Sequence, residues 1–160
     1  MISALILDID NCISDDQWRL SFINPSSHMK KGRDYLRCFD DYNSLSGFDK
    51  CHKEHFAAHI KVAPVTIFVT SRPEKYRALT VVWLQRNGLS SNPLLMRHNS
   101  DYRKSVITKS ELIDNYLTAR EDIARSQVIA FDDHPEVVAA YQKLKIDTVY
   151  HAINERDHNH

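Results

Sequence analysis

The sequence predicts an α/β fold: a parallel sheet flanked by helices, with a small helical cap inserted after the first strand. Three observations predict it. Short apolar runs recur along the chain and end in acids or hydroxyls. Segments of helical periodicity lie between those runs. One long stretch, residues 11–61, follows neither pattern. Strands that alternate with helices argue for a parallel sheet. Near-continuously apolar runs argue for strands covered on both faces.

The first strand is expected over residues 3–7, running into Asp8. A second, over 65–69, runs into Thr70 and Ser71. Weaker runs at 94–96 and 147–150 bracket a strong one at 127–131, which ends in Asp132 and Asp133. Residues 73–87 place Tyr76, Leu79, Thr80, Trp83 and Leu84 on one helical face, with Pro73 in the first turn and Gly88 as C-cap. Residues 105–124 form a second helical stretch, carrying Val106, Leu112, Ile113, Tyr116 and Leu117. Residues 135–144 repeat the pattern of a proline at the helix start, with Val138, Ala139, Tyr141 and Leu144 for the core. The segment 11–61 is rich in Asp, Lys, His and aromatics and is broken at Pro25-Ser26-Ser27. Two short helices are expected in it, over 34–42 and 50–60. It reads as an insertion within a single unit spanning residues 1–160, and the polar tail from 154 to 160 is expected to fray.

At 160 residues, 42% of them hydrophobic and 26% charged, the chain can bury a sizeable core and is not disordered. The 21 basic and 21 acidic residues balance, so the electrostatic footprint of a duplex-binding protein is missing, although a small basic groove is compatible with it. Three cysteines, Cys12, Cys38 and Cys51, do not make a disulfide scaffold and point to a reducing compartment. The opening residues carry neither a basic stretch nor an apolar run long enough for a signal peptide or a membrane span, so a cytoplasmic location is expected. The three glycines, Gly32, Gly47 and Gly88, cannot assemble a P-loop, so no kinase half is expected in this chain.

The reactive residues sit where ligands bind in parallel sheets, beyond the carboxyl ends of the strands. Asp8 and Asp10 follow the first strand, Thr70, Ser71 and Arg72 the second, and Asp132 and Asp133 a later one. Carboxylates converging on one sheet edge repel unless a cation holds them, and hard oxygen ligands point to Mg²⁺. Two aspartates two residues apart can divide labour, one attacking phosphorus and the other protonating the leaving oxygen.

These motifs, Asp8-Ile9-Asp10, Thr70, Lys109 and Asp132-Asp133, resemble the four motifs of the haloacid dehalogenase superfamily of phosphatases, over nearly the whole chain. A closer resemblance is to the 3′-phosphatase domain of bacteriophage polynucleotide kinase/phosphatases. It is carried by Arg19 eleven residues after Asp8, by Thr70-Ser71-Arg72, by Arg103-Lys104-Ser105 followed by Lys109, and by Phe131-Asp132-Asp133 followed by Val137-Val138. The resemblance implies a Rossmann-like core, a bound Mg²⁺ and a phospho-aspartyl intermediate. It implies Asp8 as nucleophile and metal ligand, and Asp10 as general acid whose carbonyl also faces the metal. Thr70, with Ser71, would bind the phosphoryl oxygens, and Lys109 would neutralise charge, with Lys104 as the alternative lysine. Asp132 would hold the metal, Asp133 would be a ligand or lie behind it, and Arg19 and Arg72 would stabilise the transition state. Asn11 stands where the family usually has Gly, and tolerates a left-handed backbone; Cys12 stands where it usually has Thr.

The substrate this implies is a nucleotide or a single-stranded nucleic-acid end, with polynucleotide 3′-phosphates first. A 5′-nucleotidase acting on nucleoside monophosphates is the enzymatic alternative, and an inactive binding module of the same fold is a second one. No membrane partner is expected, and a homo-oligomer or a separate kinase partner is compatible with the sequence. In the insertion, Trp18, Phe22, Tyr35, Phe39, Tyr42 and Phe48 are expected to form a small core, with one or two free to stack on a base. Lys30, Lys31, Arg33 and Arg37 could attract a phosphodiester. Cys51, His55 and His59, with Cys38, make a rival zinc constellation if a helix carries them on one face. The paired spacings of structural zinc sites are missing, so that stripe reads as a half-buried face.

Overall fold

The computed structural model describes residues 1–23 and 33–156, and the backbone alone for 33–38. Five strands form one parallel sheet: β1 (Ala4–Asp8), β4 (Thr66–Pro73), β5 (Leu94–Arg97), β6 (Val128–Asp132) and β7 (Asp147–Tyr150). Their order is β5-β4-β1-β6-β7, so β1 is central, paired with β4 on one side and β6 on the other. This is the expected α/β class, with every expected strand within a few residues of its place.

The apolar runs behave as their composition requires. On β1, Leu5 and Leu7 face one core cluster while Ala4 and Ile6 face the other. Alternate side chains on a strand point to opposite faces, so a strand covered on both must be apolar throughout. Against the Ala4/Ile6 face pack α4 (Ser105–Thr118), through Ile113 and Leu117, and α5 (Pro135–Lys143), through Val137 and Tyr141. Against the other face packs α3 (Arg77–Arg86), through Trp83 and Leu84, together with Phe56 from the insertion. Asp8 shares the parity of Ala4 and Ile6, so its carboxylate lies on the side that carries α4.

Local differences have physical causes. The helix expected over 73–87 opens as a 3-10 turn at Glu74–Tyr76 before α3 begins. The stretch expected over 105–124 stops at Thr118, and Ile123 packs into the core beyond it. In the insertion α1 (Arg33–Ser44) covers the first expected helix. The second, over 50–60, is not continuous. Lys50–Cys51 is the strand β3, antiparallel to β2 (Ser14–Asp15), and a 3-10 turn at Lys53–Phe56 leads into α2 (Ala57–Val62). Two-residue strands carry no readable periodicity; the partner decides them.

The tail does not fray through residue 156. Asn154 N–H donates to Asn11 Oδ1 at 2.9 Å, and the Arg156 guanidinium pairs with buried Asp16 at 2.8 Å. Residues 157–160, the Pro25-Ser26-Ser27 break, Lys30 and Lys31 lie outside the described residues, as do the side chains of Arg33, Tyr35, Arg37 and Cys38. The expected aromatic core of the insertion is only partly formed: Tyr42 is buried, whereas Trp18, Phe22 and Phe48 are exposed. The Trp18 indole is held at the surface by its N–H, which donates to Asp49 Oδ1 at 2.9 Å. No helix among the described residues is long and apolar enough to cross a membrane.

Candidate active site

The central strand ends on Asp8, and the next five residues form a tight loop around one carbonyl. The N–H groups of Cys12, Ile13 and Ser14 all converge on Ile9 O at 2.9–3.2 Å. Asn11 closes the loop in the left-handed region, at φ 59°, as its tolerance for that backbone allows. Its side chain then donates to Asp133 Oδ2 and to Asn154 O, both at 2.9 Å. Cys12 is fully buried, and burial together with the Asp8 charge pushes its thiol well up. A protonated, enclosed thiol is no nucleophile.

Asp8 meets two further acids. The carboxylates of Asp8, Asp132 and Asp133 bring one oxygen each within 4.8 Å of one another, and all three residues are buried. Lys109, on α4, spans the first two: its Nζ lies 2.7 Å from Asp8 Oδ1 and 2.7 Å from Asp132 Oδ2. Lys104, the alternative lysine, is exposed at the start of the helix. His134 N–H donates to the other Asp132 oxygen at 2.9 Å, which orients that carboxylate. With all three carboxyls ionised, one ammonium would leave two negative charges in a buried site. Burial, then the Asp132 charge, raises the Asp8 carboxyl to about 6. Burial, then the Asp8 charge, pushes Asp133 well above the usual carboxylate range. An all-oxygen donor set short of two positive charges fits Mg²⁺, with Asp8, Asp132 and Asp133 to hold it and the Asp10 carbonyl beside them by resemblance.

This imbalance has a measurable sign. The folded-state pKa of Asp8 is raised from 3.8 to about 6, so the unfolded chain releases that proton first as pH rises. Folding stability in a divalent-free buffer is therefore expected to fall between these two values, by about 2–3 kcal/mol from Asp8 alone. Added Mg²⁺ should restore it at neutral pH. Thermal melts across that range with chelator and with Mg²⁺ check this; a melting temperature indifferent to both would remove the cation from the site.

The second half of the site is built around Asp10. Arg19 Nη2 lies 2.5 Å from its Oδ1, while Arg72 reaches Oδ1 at 2.7 Å and Oδ2 at 3.0 Å. Burial would raise this carboxyl, but the Arg72 and Arg19 guanidiniums overcome that and hold it well below the usual carboxylate range. Arg72 is aimed by its own turn: its N–H donates to Thr70 Oγ1 at 3.1 Å, and Nη1 is steadied by Thr80. Thr70 sits one residue beyond Val69, the register partner of Asp8 on the neighbouring strand. Ser71 instead donates to Ser105 Oγ at 2.8 Å, at the start of α4.

Arg19 is fully buried and has a support that the sequence reading missed. Asp49 accepts from its Nε at 2.8 Å and its Nη2 at 2.6 Å, and also takes the Trp18 indole N–H and the Ser14 hydroxyl. Trp83, from the main core, donates to the Asp49 carbonyl at 2.9 Å. The Tyr42 ring lies 4.0 Å beneath the Arg19 guanidinium. Asp49 was one acid among many in an acid-rich insertion, so only a buried arginine needing a counter-charge could have pointed to it. The Cys51–His55–His59 stripe is not formed: Cys51 lies on β3 against the apolar cluster, and His59 packs edge-on to Phe131.

The fold is that of the haloacid dehalogenase-like hydrolases, and the family match makes the chain a phosphatase domain of that type. Residues 3–155 match the family described as the polynucleotide kinase PNKP phosphatase domain, and the chain belongs to that family. A protein of Autographa californica nuclear polyhedrosis virus, bearing the name of a bifunctional polynucleotide kinase/RNA ligase, is 28% identical over 92 residues, covering 57% of this chain and 13% of its own length. A chain in the structure of a Pnkp1/Rnl/Hen1 complex superposes with a TM-score of 0.64 at 20% identity, over 97% of this chain and 48% of that one. A haloacid dehalogenase-like hydrolase from Streptococcus pneumoniae gives 0.64 at 11% identity, over 93% of this chain and 84% of its own. This chain thus spans less than half of the first two relatives, and the two structural likenesses speak to the fold alone.

Proposed function

We propose that this chain is a Mg²⁺-dependent phosphomonoesterase that removes phosphate from polynucleotide 3′ ends through a phospho-aspartyl intermediate. The observation that carries the chemistry is the buried pairing of Lys109 with Asp8 and Asp132, next to an Asp10 clamped by two arginines. The substrate class is supported by the family match and by the names of the relatives.

Lys109 fixes the Asp8 carboxylate, from which one oxygen attacks phosphorus as the bond to the sugar oxygen breaks. Bound Mg²⁺ would offset the charge of the aspartates and of the phosphoryl oxygens. Asp10 delivers a proton to the departing oxygen and then takes one from the water that cleaves the phospho-aspartate. In the free protein Asp10 is ionised and bonded to Arg19 and Arg72. An arriving phosphate gives both arginines a second anion to face, which relaxes their hold on Asp10 and raises its proton affinity, so that Asp10 takes up a proton from solvent before passing it to the departing oxygen. The arginines therefore act on the general acid as well as on the equatorial oxygens.

Phosphate release from a 3′-phosphorylated oligonucleotide, a 5′-phosphorylated one, free 3′- and 5′-monophosphates and an aryl phosphate tests this reading. The 3′-phosphorylated oligonucleotide should be the best substrate, and preference for a free 5′-monophosphate would favour the nucleotidase instead. Asp10→Asn should slow sugar phosphates by about 100-fold or more and the aryl phosphate far less, because a good leaving group needs little protonation. Equal losses on both would reduce Asp10 to a shaper of the loop.

A further inference from the structure

A second group of ligating side chains gathers where the segment after β3 meets the segment after β7. His52, Glu54 and His55 bring one ligand atom each within 4.8 Å of one another. His55 Nδ1 lies 3.2 Å from His151 Nε2, and His52 Nδ1 lies 3.6 Å from Glu54 Oε1. The His55 ring stands 5.2 Å from both the His52 and the His151 rings. His52 Nε2 is buried without a hydrogen-bond partner among the described residues, 3.7 Å from Asp15 Oδ2. No residue of this group belongs to the phosphoryl-transfer machinery.

We propose that His52, Glu54, His55 and His151 form a binding site for a transition cation of the Zn²⁺ class, separate from the Mg²⁺ site of the aspartates. The donor chemistry selects the ion: three imidazoles and one carboxylate suit Zn²⁺ and leave Mg²⁺, which prefers oxygen, at a disadvantage. The spacing fits as well. Tetrahedral ligands about 2.0–2.1 Å from zinc stand about 3.3 Å from one another. The 3.2 Å separation of His55 from His151 and the 3.6 Å separation of His52 from Glu54 are each close to that, and rotation of the exposed Glu54 and His55 side chains would bring the two pairs onto one ion.

The position gives the ion a mechanical consequence. His52 N–H donates to Ile13 O at 2.7 Å, in the loop that follows Asp8 and Asp10, and His151 N–H donates to Asp132 O at 2.9 Å. A cation held here ties the base of the insertion to the end of β7 across the two segments that carry the aspartates. His55 and His151 are 96 positions apart, so the full site exists only in the folded chain. Binding therefore stabilises the native state. This inference rests on the geometry of the cluster and is independent of the substrate reading.

The test uses the untagged full chain, stripped with chelator and then kept in excess Mg²⁺ so that the aspartates are filled. Calorimetric titration with Zn²⁺ should show one ion per chain and a raised melting temperature. His55→Ala combined with His151→Ala should weaken that binding at least about tenfold and abolish the thermal shift. His98→Ala, a surface histidine elsewhere, should leave both unchanged. Co²⁺ bound to the wild-type chain should give intense tetrahedral d–d absorption, a readout that does not depend on any variant folding. Zn²⁺ binding unchanged in the double variant, no thermal shift in the wild type, or only the weak bands of an octahedral Co²⁺ site would each overturn the proposal.

Discussion

Asp8→Asn is expected to reduce phosphate release by at least about 1,000-fold on every substrate while leaving the protein folded. An amide cannot attack phosphorus usefully and carries no charge for a cation. The fold should survive because the Asn side chain still offers an oxygen to Lys109, whose Nζ is 2.7 Å from the present carboxylate. The substitution also removes one of three crowded negative charges, so the divalent-free protein should melt no lower than wild type, and its gain from Mg²⁺ should shrink. Activity and stability then move in opposite directions, which separates loss of a nucleophile from loss of structure. Release assays alongside melts with and without Mg²⁺ read both. Retention of more than a few per cent of activity would take the role from Asp8.

Asp49→Ala is expected to be the most destabilising single change near the site, by about 3–5 kcal/mol, because it leaves two buried guanidiniums, Arg19 and Arg72, to share the single Asp10 carboxylate. Arg19 loses two of its bonds, and the Trp18 indole and the Ser14 hydroxyl lose their acceptor. Set against a total stability of about 5–15 kcal/mol for a domain, that loss is large. In the protein that remains folded, kcat should fall with both sugar and aryl phosphates, since Arg19 is no longer held against Asp10, and KM should change less. Arg19→Met in the same chain removes the excess positive charge and leaves Arg72 paired with Asp10. The double variant should then be more stable than the sum of the single changes, a coupling that urea denaturation measures. Strict additivity would mean that Asp49 and Arg19 do not act as a pair.

The legible part of this protein was local. The apolar runs at 3–7, 65–69 and 127–131 could be read as strands because burial on both faces demands an unbroken apolar stretch. The residues that end them, Asp8, Thr70 and Asp132, could be read as a site because parallel strands deliver their carboxyl ends to one edge. Lys109 could be singled out by its place in the motif, but that it rather than Lys104 reaches the aspartates depends on which face of α4 turns to the sheet.

What tertiary structure alone decided is who partners whom. Asp10 and Asp49 are both acids in a polar stretch of sequence, yet one lies between two guanidiniums and the other anchors a buried arginine from behind. The β2–β3 pair, the bond of Asn154 to Asn11 and the contact of His55 with His151 are likewise invisible along the chain. The physical reason is one of range. Apolar burial is set by neighbours a few residues away and imprints a period on the sequence. A charge pair or a ligand cluster joins segments dozens of positions apart, and its geometry exists only once the sheet has brought them together.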